Sequence, residues 1–360
     1  MQSGRRSVLV TLASLPLAFA MPSAAATNSF DSIVSSVRAD ALARGVSEVT
    51  LNRALANIKP LTIDSFETNQ PERSRTITFA QYYGNHVSTA ALNKARAFRQ
   101  AHKAAFDKAE RDYGVPSSVI LSILNIESRF GTNVGDQKII PALLTLVRDV
   151  RGEDKRAVDR RAMFREEAVQ ALLLADSGYG EVLAGVGSWA GAVGPAQFMP
   201  SSIRRYAVDG DGDGKKDLWK NYNDIIPSVA HYLSEKGWQP DQRWGRKVQL
   251  PSAFDKELMT DTLLAQVNKS PREWAALGVH LSDGVPLPDD DTLRAMLIAP
   301  NYHVKTGVLS GPVYMVYDNF RTVMQYNKSY KYALTVLQMS DALSNGPVSA
   351  PALYPSSYNR

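Results

Sequence analysis

The sequence predicts a mainly α protein with a minor β part, of the α+β class, and three observations carry that expectation. Apolar residues recur at helical spacing through most of the chain. Proline and glycine fall where those runs would start and stop. One segment, Trp238 to about Val285, differs: it holds Pro240, Pro251 and Pro271 and a short alternating run, Lys247-Val-Gln-Leu250.

At the N-terminus Arg5 and Arg6 precede an apolar stretch from Val8 to Ala20, and Ala24-Ala25-Ala26 offers the small residues of a signal-peptidase site. This reads as a bacterial secretory signal cleaved after Ala26. The arginine pair fits either general or twin-arginine export. The stretch is short and interrupted by Pro16, so it makes no membrane span, and no other run approaches spanning length. From Asn28 to about Pro60 the pattern is helical, with Phe30, Ile33, Val34, Val37 and Leu42 on one face. A polar, extended stretch follows from Leu61 to Arg75. Helical periodicity resumes from Ala90 to Tyr113 through Leu92, Ala95, Phe98 and Phe106, and again from Pro116 to Phe130. Another helix is expected over Arg161 to Ala175, where Met163, Phe164, Ala168, Leu172 and Leu173 recur. Ile225 to Lys236 reads as one more, closed by Gly237. Chain-end helices are expected at Tyr314 to Tyr326 and Tyr330 to Leu343. The tail from Gly346, with three prolines and three serines, reads as disordered.

Composition excludes several functions. The formal charge is +5 and the isoelectric point near 9.2, with acidic residues nearly as numerous as basic ones. Such mild basicity suits an acidic polymer or an anionic envelope surface. No long basic run stands out, so nucleic acid is not an expected partner. The absence of cysteine removes disulfides, a thiol nucleophile, thiolate metal sites and lipid attachment through cysteine. Five scattered histidines, none paired at ligand spacing, argue against zinc.

Glu127 is the candidate general acid. In the helix that begins near Pro116 and ends before Gly131, Ile120, Ile123 and Leu124 lie on the same face as Glu127. Lost hydration and the negative end of the helix dipole both favour the protonated carboxyl and raise its pKa. A glutamate that reaches solvent or pairs with Arg129 is the alternative. Downstream, Gly191 to Ser202 is a Gly- and Pro-punctuated loop carrying Gln197, whose amide offers a donor and an acceptor to sugar groups. Ser188 and Trp189 precede it as a polar partner and a sugar platform, or as core and turn residues. Asp209, Asp211 and Asp213 fall at positions 1, 3 and 5 of a calcium-type loop, with Gly214 at the turn and the Lys215 carbonyl at position 7. The twelfth position is Lys220, leaving Asp224 or Asp217 to close the site. The stretch Asn319 to Tyr332 is rich in Tyr and Asn, which suits stacking on pyranose faces or, equally, aromatic packing.

In order along the chain stand Glu127-Ser-Arg-Phe-Gly131, Gly194-Pro-Ala-Gln-Phe-Met-Pro-Ser-Ser202, the run from Tyr206 through the three aspartates to Trp219, Asn319-Phe320 and Tyr326-Asn327. Together they closely resemble the membrane-bound lytic transglycosylase B type of bacterial murein transglycosylase, glycoside hydrolase family 103, from about Asn28 to Leu343. The resemblance implies a lysozyme-like helical core, an α domain and a small β domain around a glycan groove. After the signal peptide read over 1–26, the expected divisions are an N-terminal α region over 27–80 and a catalytic core with a calcium-type loop over 81–237. A β-containing insertion over 238–300, the last part of the core over 301–345 and a tail over 346–360 follow.

By the same resemblance Glu127 is the single acid/base. Ser188 and Gln197 match polar residues near it, and Tyr232, Tyr326, Asn327, Tyr332 and Tyr82 match the groove. Asp209, Asp211, Asp213, the Lys215 carbonyl and Asp224 match a structural Ca2+ site, although one extra residue precedes Asp224. Catalysis needs no cofactor. The implied setting is the periplasm, as a monomer without a lipid anchor, acting on peptidoglycan glycan strands beside other cell-wall enzymes. A hydrolytic glycosidase needs two carboxylates roughly 5 to 9 Å apart. Only Glu127 has a motif around it, so cleavage by the muramyl C6 hydroxyl is expected. A hydrolytic muramidase and a non-catalytic glycan-binding envelope protein are the alternatives.

Overall fold

A computed structural model describes residues 29–63, 77–259, 267–303 and 308–344; the expected signal segment and tail lie outside the described residues. The first expected helical stretch is two helices, α1 (Phe30–Ala43) and α2 (Glu48–Leu55), separated at Gly45 with φ +88°. Ser29 and Ser47 start them by accepting hydrogen bonds from the Ser32 and Thr50 amides. The buried stripe of α1 is Ile33, Val37 and Ala41. Leu42, placed on that stripe by spacing, turns about 100° away from Ala41 and is 46 % exposed. Next comes α3 (Phe79–His86), opened by a capping box between Thr78 and Gln81. The run expected from Ala90 to Tyr113 is also two helices, α4 (Thr89–Ala101) and α5 (Lys103–Tyr113), because His102 leaves helical geometry.

The central element is α6 (Ser117–Ser128). It is buried all round, with Val119 through Asn125 inside the protein, so it is a core helix and has no water-facing side. Pro116 sits one place before its first residue. Beyond it lie α7 (Ile139–Asp149) and α8 (Lys155–Asp176). The first was not expected, and the second begins six residues before the anticipated Arg161, where Asp154 accepts a hydrogen bond from the Ala157 amide (2.8 Å). Met163, counted on the inner stripe of α8, is 46 % exposed; Phe164, Ala168 and Leu172 do face the core. Three further helices, α9 (Glu181–Ala184), α10 (Pro200–Tyr206) and α11 (Tyr222–Glu235), bring the chain to Gly237 with φ +94°.

The β part holds a four-stranded antiparallel sheet. Two short strands in the helical part, β1 (Gln137–Lys138) and β2 (Val186–Gly187), pair with each other. Then come β3 (Gly245–Gln249), α12 (Pro271–Ala276), β4 (His280–Leu281), β5 (Met296–Ile298), β6 (Tyr302–His303), β7 (Val308–Leu309) and β8 (Val313–Val316), with sheet order β4-β3-β8-β5. The sheet has its own core, including Val248, Trp274, Leu297, Met315 and Tyr317. The alternating run Lys247–Leu250 lies in and just after β3. Tyr314 to Val316, expected to open a helix, is instead the strand between β3 and β5. The helix there, α13 (Asp318–Tyr326), begins only after that strand, and α14 (Tyr330–Ser344) packs along α6.

Asn319 ties the linker after α11 to the helical core. It is fully buried; its Oδ1 accepts from the Gln239 amide (2.8 Å), and its Nδ2 donates to the carbonyls of Gln239 (2.7 Å) and Gln242 (2.5 Å). Asn319→Ala strands these backbone groups without water. Unfolding in urea is expected to show a loss of about 3 kcal/mol, as unmet buried polar groups cost.

Candidate active site

The C-terminal end of α6 presents Glu127. The Arg129 amide donates to the Asn125 carbonyl and the Phe130 amide to the Leu124 carbonyl (both 2.9 Å), which satisfies the last turn. Arg129, Phe130 and Gly131 have φ of +52°, +59° and +77°, so the chain reverses through three left-handed residues. Arg129 is carried out to solvent and takes no part in holding Glu127.

Glu127 Oε1 accepts a hydrogen bond of 2.6 Å from Tyr332 Oη on α14. Loss of hydration pushes the carboxyl up to about 7, and the Tyr332 bond, which favours the charged form, opposes this. Among the described residues no other charged group acts on it. The residue keeps a partly exposed edge, the access that a substrate requires.

Three of the sequence-designated tyrosines share this site. Burial and the Glu127 charge together raise the phenol pKa of Tyr82, Tyr326 and Tyr332. The Tyr326 and Tyr332 rings stack at 6.5 Å and 13°, and Tyr232 meets Tyr326 edge-on at 5.0 Å. Tyr326 Oη donates to the Ala196 carbonyl (2.5 Å) and Tyr232 Oη to the Gln325 carbonyl (2.7 Å). Their hydroxyls hold backbone and their rings build a wall. Tyr82 is only partly buried, with its ring 4.6 Å from His86. Asn327 is exposed at the end of α13.

The loop before α10 closes the other side. Gln197 has φ +51°, and its Nε2 donates to the carbonyls of Val134 (3.2 Å) and Gly194 (2.9 Å). Ser188 Oγ accepts from the amides of Ala190 (3.2 Å) and Ala192 (3.1 Å), which shapes the turn. Gly194 is required, since a Cβ there would lie 2.0 Å from the Leu218 carbonyl oxygen. Two residues here were not foreseen. Ser128 Oγ donates to the Pro195 carbonyl (2.7 Å), fastening this loop to the residue beside Glu127. Glu167 on α8 accepts from the Ser201 amide (2.9 Å) and Oγ (2.6 Å), which anchors the start of α10. Ser128 stood within a recognised motif; Glu167 lies 34 residues from its partner, and nothing local marked it.

At the acidic loop, carboxylate oxygens of Asp209, Asp211 and Asp213 lie within 4.8 Å of one another. Asp209 also accepts from the amides of Gly212 (2.7 Å) and Gly214 (2.9 Å), and Asp213 from that of Lys215 (2.8 Å). Exposed hard oxygen donors in this arrangement fit a divalent cation such as Ca2+. Asp224 is fully buried and stands outside that group of three. Its oxygens accept from the amides of Gly210 (2.9 Å) and Asp217 (2.7 Å), so it fixes the loop from within.

Residues 29–341 match the family described as Transglycosylase SLT domain. The chain is 32 % identical over 270 residues to membrane-bound lytic murein transglycosylase B of Escherichia coli (strain K12), covering 73 % of this chain and 67 % of that protein. The structure of SltB3 from Pseudomonas aeruginosa in complex with NAG-anhNAM-pentapeptide is similar with a TM-score of 0.73 and 31 % identity, over 91 % of this chain and 82 % of that one. The Escherichia coli lytic transglycosylase Slt35 in complex with calcium is similar with a TM-score of 0.69 and 25 % identity, over 86 % and 92 %.

The raised carboxyl has a thermodynamic signature. Between pH 4.5, the ordinary value for Glu, and about 7 the folded chain keeps a proton that the unfolded chain has released. The stability owed to this group is therefore complete below pH 4.5 and is lost as pH rises through 7. Glu127→Gln, which stays neutral, is expected to match the wild-type Tm near pH 4.5 and exceed it above pH 7, as thermal scans across pH would record.

Proposed function

The chain belongs to the Transglycosylase SLT domain family, and from that premise we propose that Glu127 cleaves the MurNAc–GlcNAc β-1,4 bond of peptidoglycan without water. That the chain is a lytic transglycosylase acting on peptidoglycan follows from the family and from its relatives. The finer chemistry rests on one observation: a carboxyl pushed up to about 7 by lost hydration, with no other charged group among the described residues acting on it.

Such a group serves as acid and then as base, because both forms are accessible near neutral pH. Tyr332 donates to Oε1, so the mobile proton belongs to Oε2. That proton passes to the glycosidic oxygen while the muramyl 2-acetamido group stabilises the cationic C1. Glu127, now a carboxylate, takes the proton of the C6 hydroxyl. The C6 oxygen closes onto C1, giving a 1,6-anhydromuramyl end and restoring the acid. The anhydromuramyl ligand in the SltB3 complex supports this reading. Tyr82, Tyr326, Tyr332 and Tyr232, with Ser188, Gln197 and Asn327, form or shape the glycan groove.

Asp209, Asp211 and Asp213, with the Lys215 carbonyl, form a structural Ca2+ site whose loop Asp224 fixes from within, a reading supported by the clustered carboxylates and the calcium in the Slt35 complex. No helix of the described residues is long and apolar enough to cross a membrane. The N-terminal signal-like segment supports export to the periplasm, where the chain acts as a monomer.

Mass spectrometry of digested peptidoglycan is expected to show anhydromuramyl ends; reducing muramyl ends alone would refute the non-hydrolytic step and indicate a muramidase. Glu127→Gln should lose about 10²- to 10⁴-fold in rate, whereas a glycan-binding scaffold would keep its function. Tyr332→Phe removes the bond that favours the charged form, so the alkaline limb of the pH–rate profile should move upward.

A further inference from the structure

We propose that Tyr222 and Lys94 form a clamp that positions Glu127 by holding the left-handed residues immediately after α6. The inference rests on Glu127 being the acid and extends that reading to residues outside its motif. Arg129 and Phe130 are two successive non-glycine residues with φ above +50°. Bulky L-residues avoid that region, so the turn persists only where its surroundings hold it.

Both carbonyls of the pair are captured by side chains from elsewhere in the chain. Lys94 Nζ, on α4, donates to the Arg129 carbonyl (2.9 Å). Tyr222 Oη, at the first residue of α11, donates to the Phe130 carbonyl (3.0 Å). The Phe130 ring is held as well: it stacks on Phe98 at 4.6 Å, and Lys94 Nζ lies 5.6 Å from its centroid. Phe98 in turn meets Tyr222 edge-on at 4.9 Å. Gly131 completes the packing, since a Cβ there would stand 2.5 Å from Tyr222 Oη and 3.1 Å from Pro195 Cγ.

The clamp is anchored on the acidic loop. Asn221, beside Tyr222, donates through Nδ2 to Asp211 Oδ2 (2.8 Å) and Asp224 Oδ2 (3.1 Å). The buried Asp224, in the first turn of the same helix, grips Gly210 and Asp217. The hydrogen-bonded loop thus fixes where α11 starts, α11 fixes Tyr222, and Tyr222 fixes the turn three residues beyond Glu127. The chemistry is sensitive to such support because a displacement of about 1 Å at a reacting group costs up to 10²-fold in rate.

The test is steady-state kinetics on peptidoglycan across pH for Tyr222→Phe, Lys94→Met and Lys94→Arg, with Glu127→Gln alongside. Tyr222→Phe, which deletes one hydroxyl, is expected to lower kcat about tenfold with KM within about twofold. It should also move the alkaline limb downward, as a loosened turn readmits water to the carboxyl. Lys94→Met should act in the same direction and Lys94→Arg should restore the wild-type profile. Lys94 is exposed, so its variants report on the clamp even where Tyr222→Phe fails to fold. Wild-type kcat and pH profile in Tyr222→Phe and Lys94→Met overturn the clamp. So does a fall in kcat that merely tracks lost folded protein with the limb unmoved. Full activity in Glu127→Gln overturns the acid reading itself, while an inactive Glu127→Gln beside wild-type clamp variants removes the clamp alone.

Discussion

Exclusion of water from the Glu127 carboxyl, opposed by one hydrogen bond from Tyr332, is the constraint on which the other features of the site depend. A carboxyl in water is ionised at neutral pH and has no proton to give. Here it lies at the end of a helix buried all round, against a wall of tyrosines. That placement raises its pKa to about 7, and the Tyr332 bond keeps the value from climbing further. The balance leaves one group able to give and then take a proton.

Holding a desolvated carboxyl in place requires a stiff frame, and the fold supplies it through side chains that bind backbone. Ser128 grips Pro195, Tyr326 grips Ala196, and Glu167 grips Ser201 at the start of α10. The loop Gly194–Gln197 is therefore fixed from α6, α13 and the α8–α10 contact. Residues that the sequence marks as sugar ligands, such as Ser188 and Gln197, spend hydrogen bonds on the same frame. The acidic loop belongs to it too, because Asp224 and Asn221 lock it to the first turn of α11.

Much of this was legible in the sequence where a signal was local. The Glu127 motif, the aspartates at alternate positions and the alternating run after Gly245 each sit within a few residues. What was missed follows from physics that leaves no local mark. The α7 helix, Ile139-Ile-Pro-Ala-Leu-Leu-Thr-Leu-Val-Arg-Asp149, has no side-chain cap at its start and carries Pro141 in its first turn, so no local signal announces where it begins. Val313-Tyr-Met-Val316 is a short apolar run that suits a strand or a helix equally. Its neighbours β3 and β5, distant in sequence, decide the matter. Glu167 and Tyr222 act on partners 34 and 92 residues away. For Glu127 itself, face geometry was the weaker guide, since α6 has no water-facing side and even Ser118, Ser122 and Asn125 are buried. The ordered motifs downstream, and then Tyr332, carry the assignment.

The proton affinity of one carboxyl decides the chemistry, and NMR titration of the free enzyme with 13C-labelled glutamate, assigned by comparison with Glu127→Gln, measures it directly. A Glu127 resonance titrating near pH 7 is the result the structure requires. A midpoint near 4.5, the ordinary value for glutamate, would contradict it.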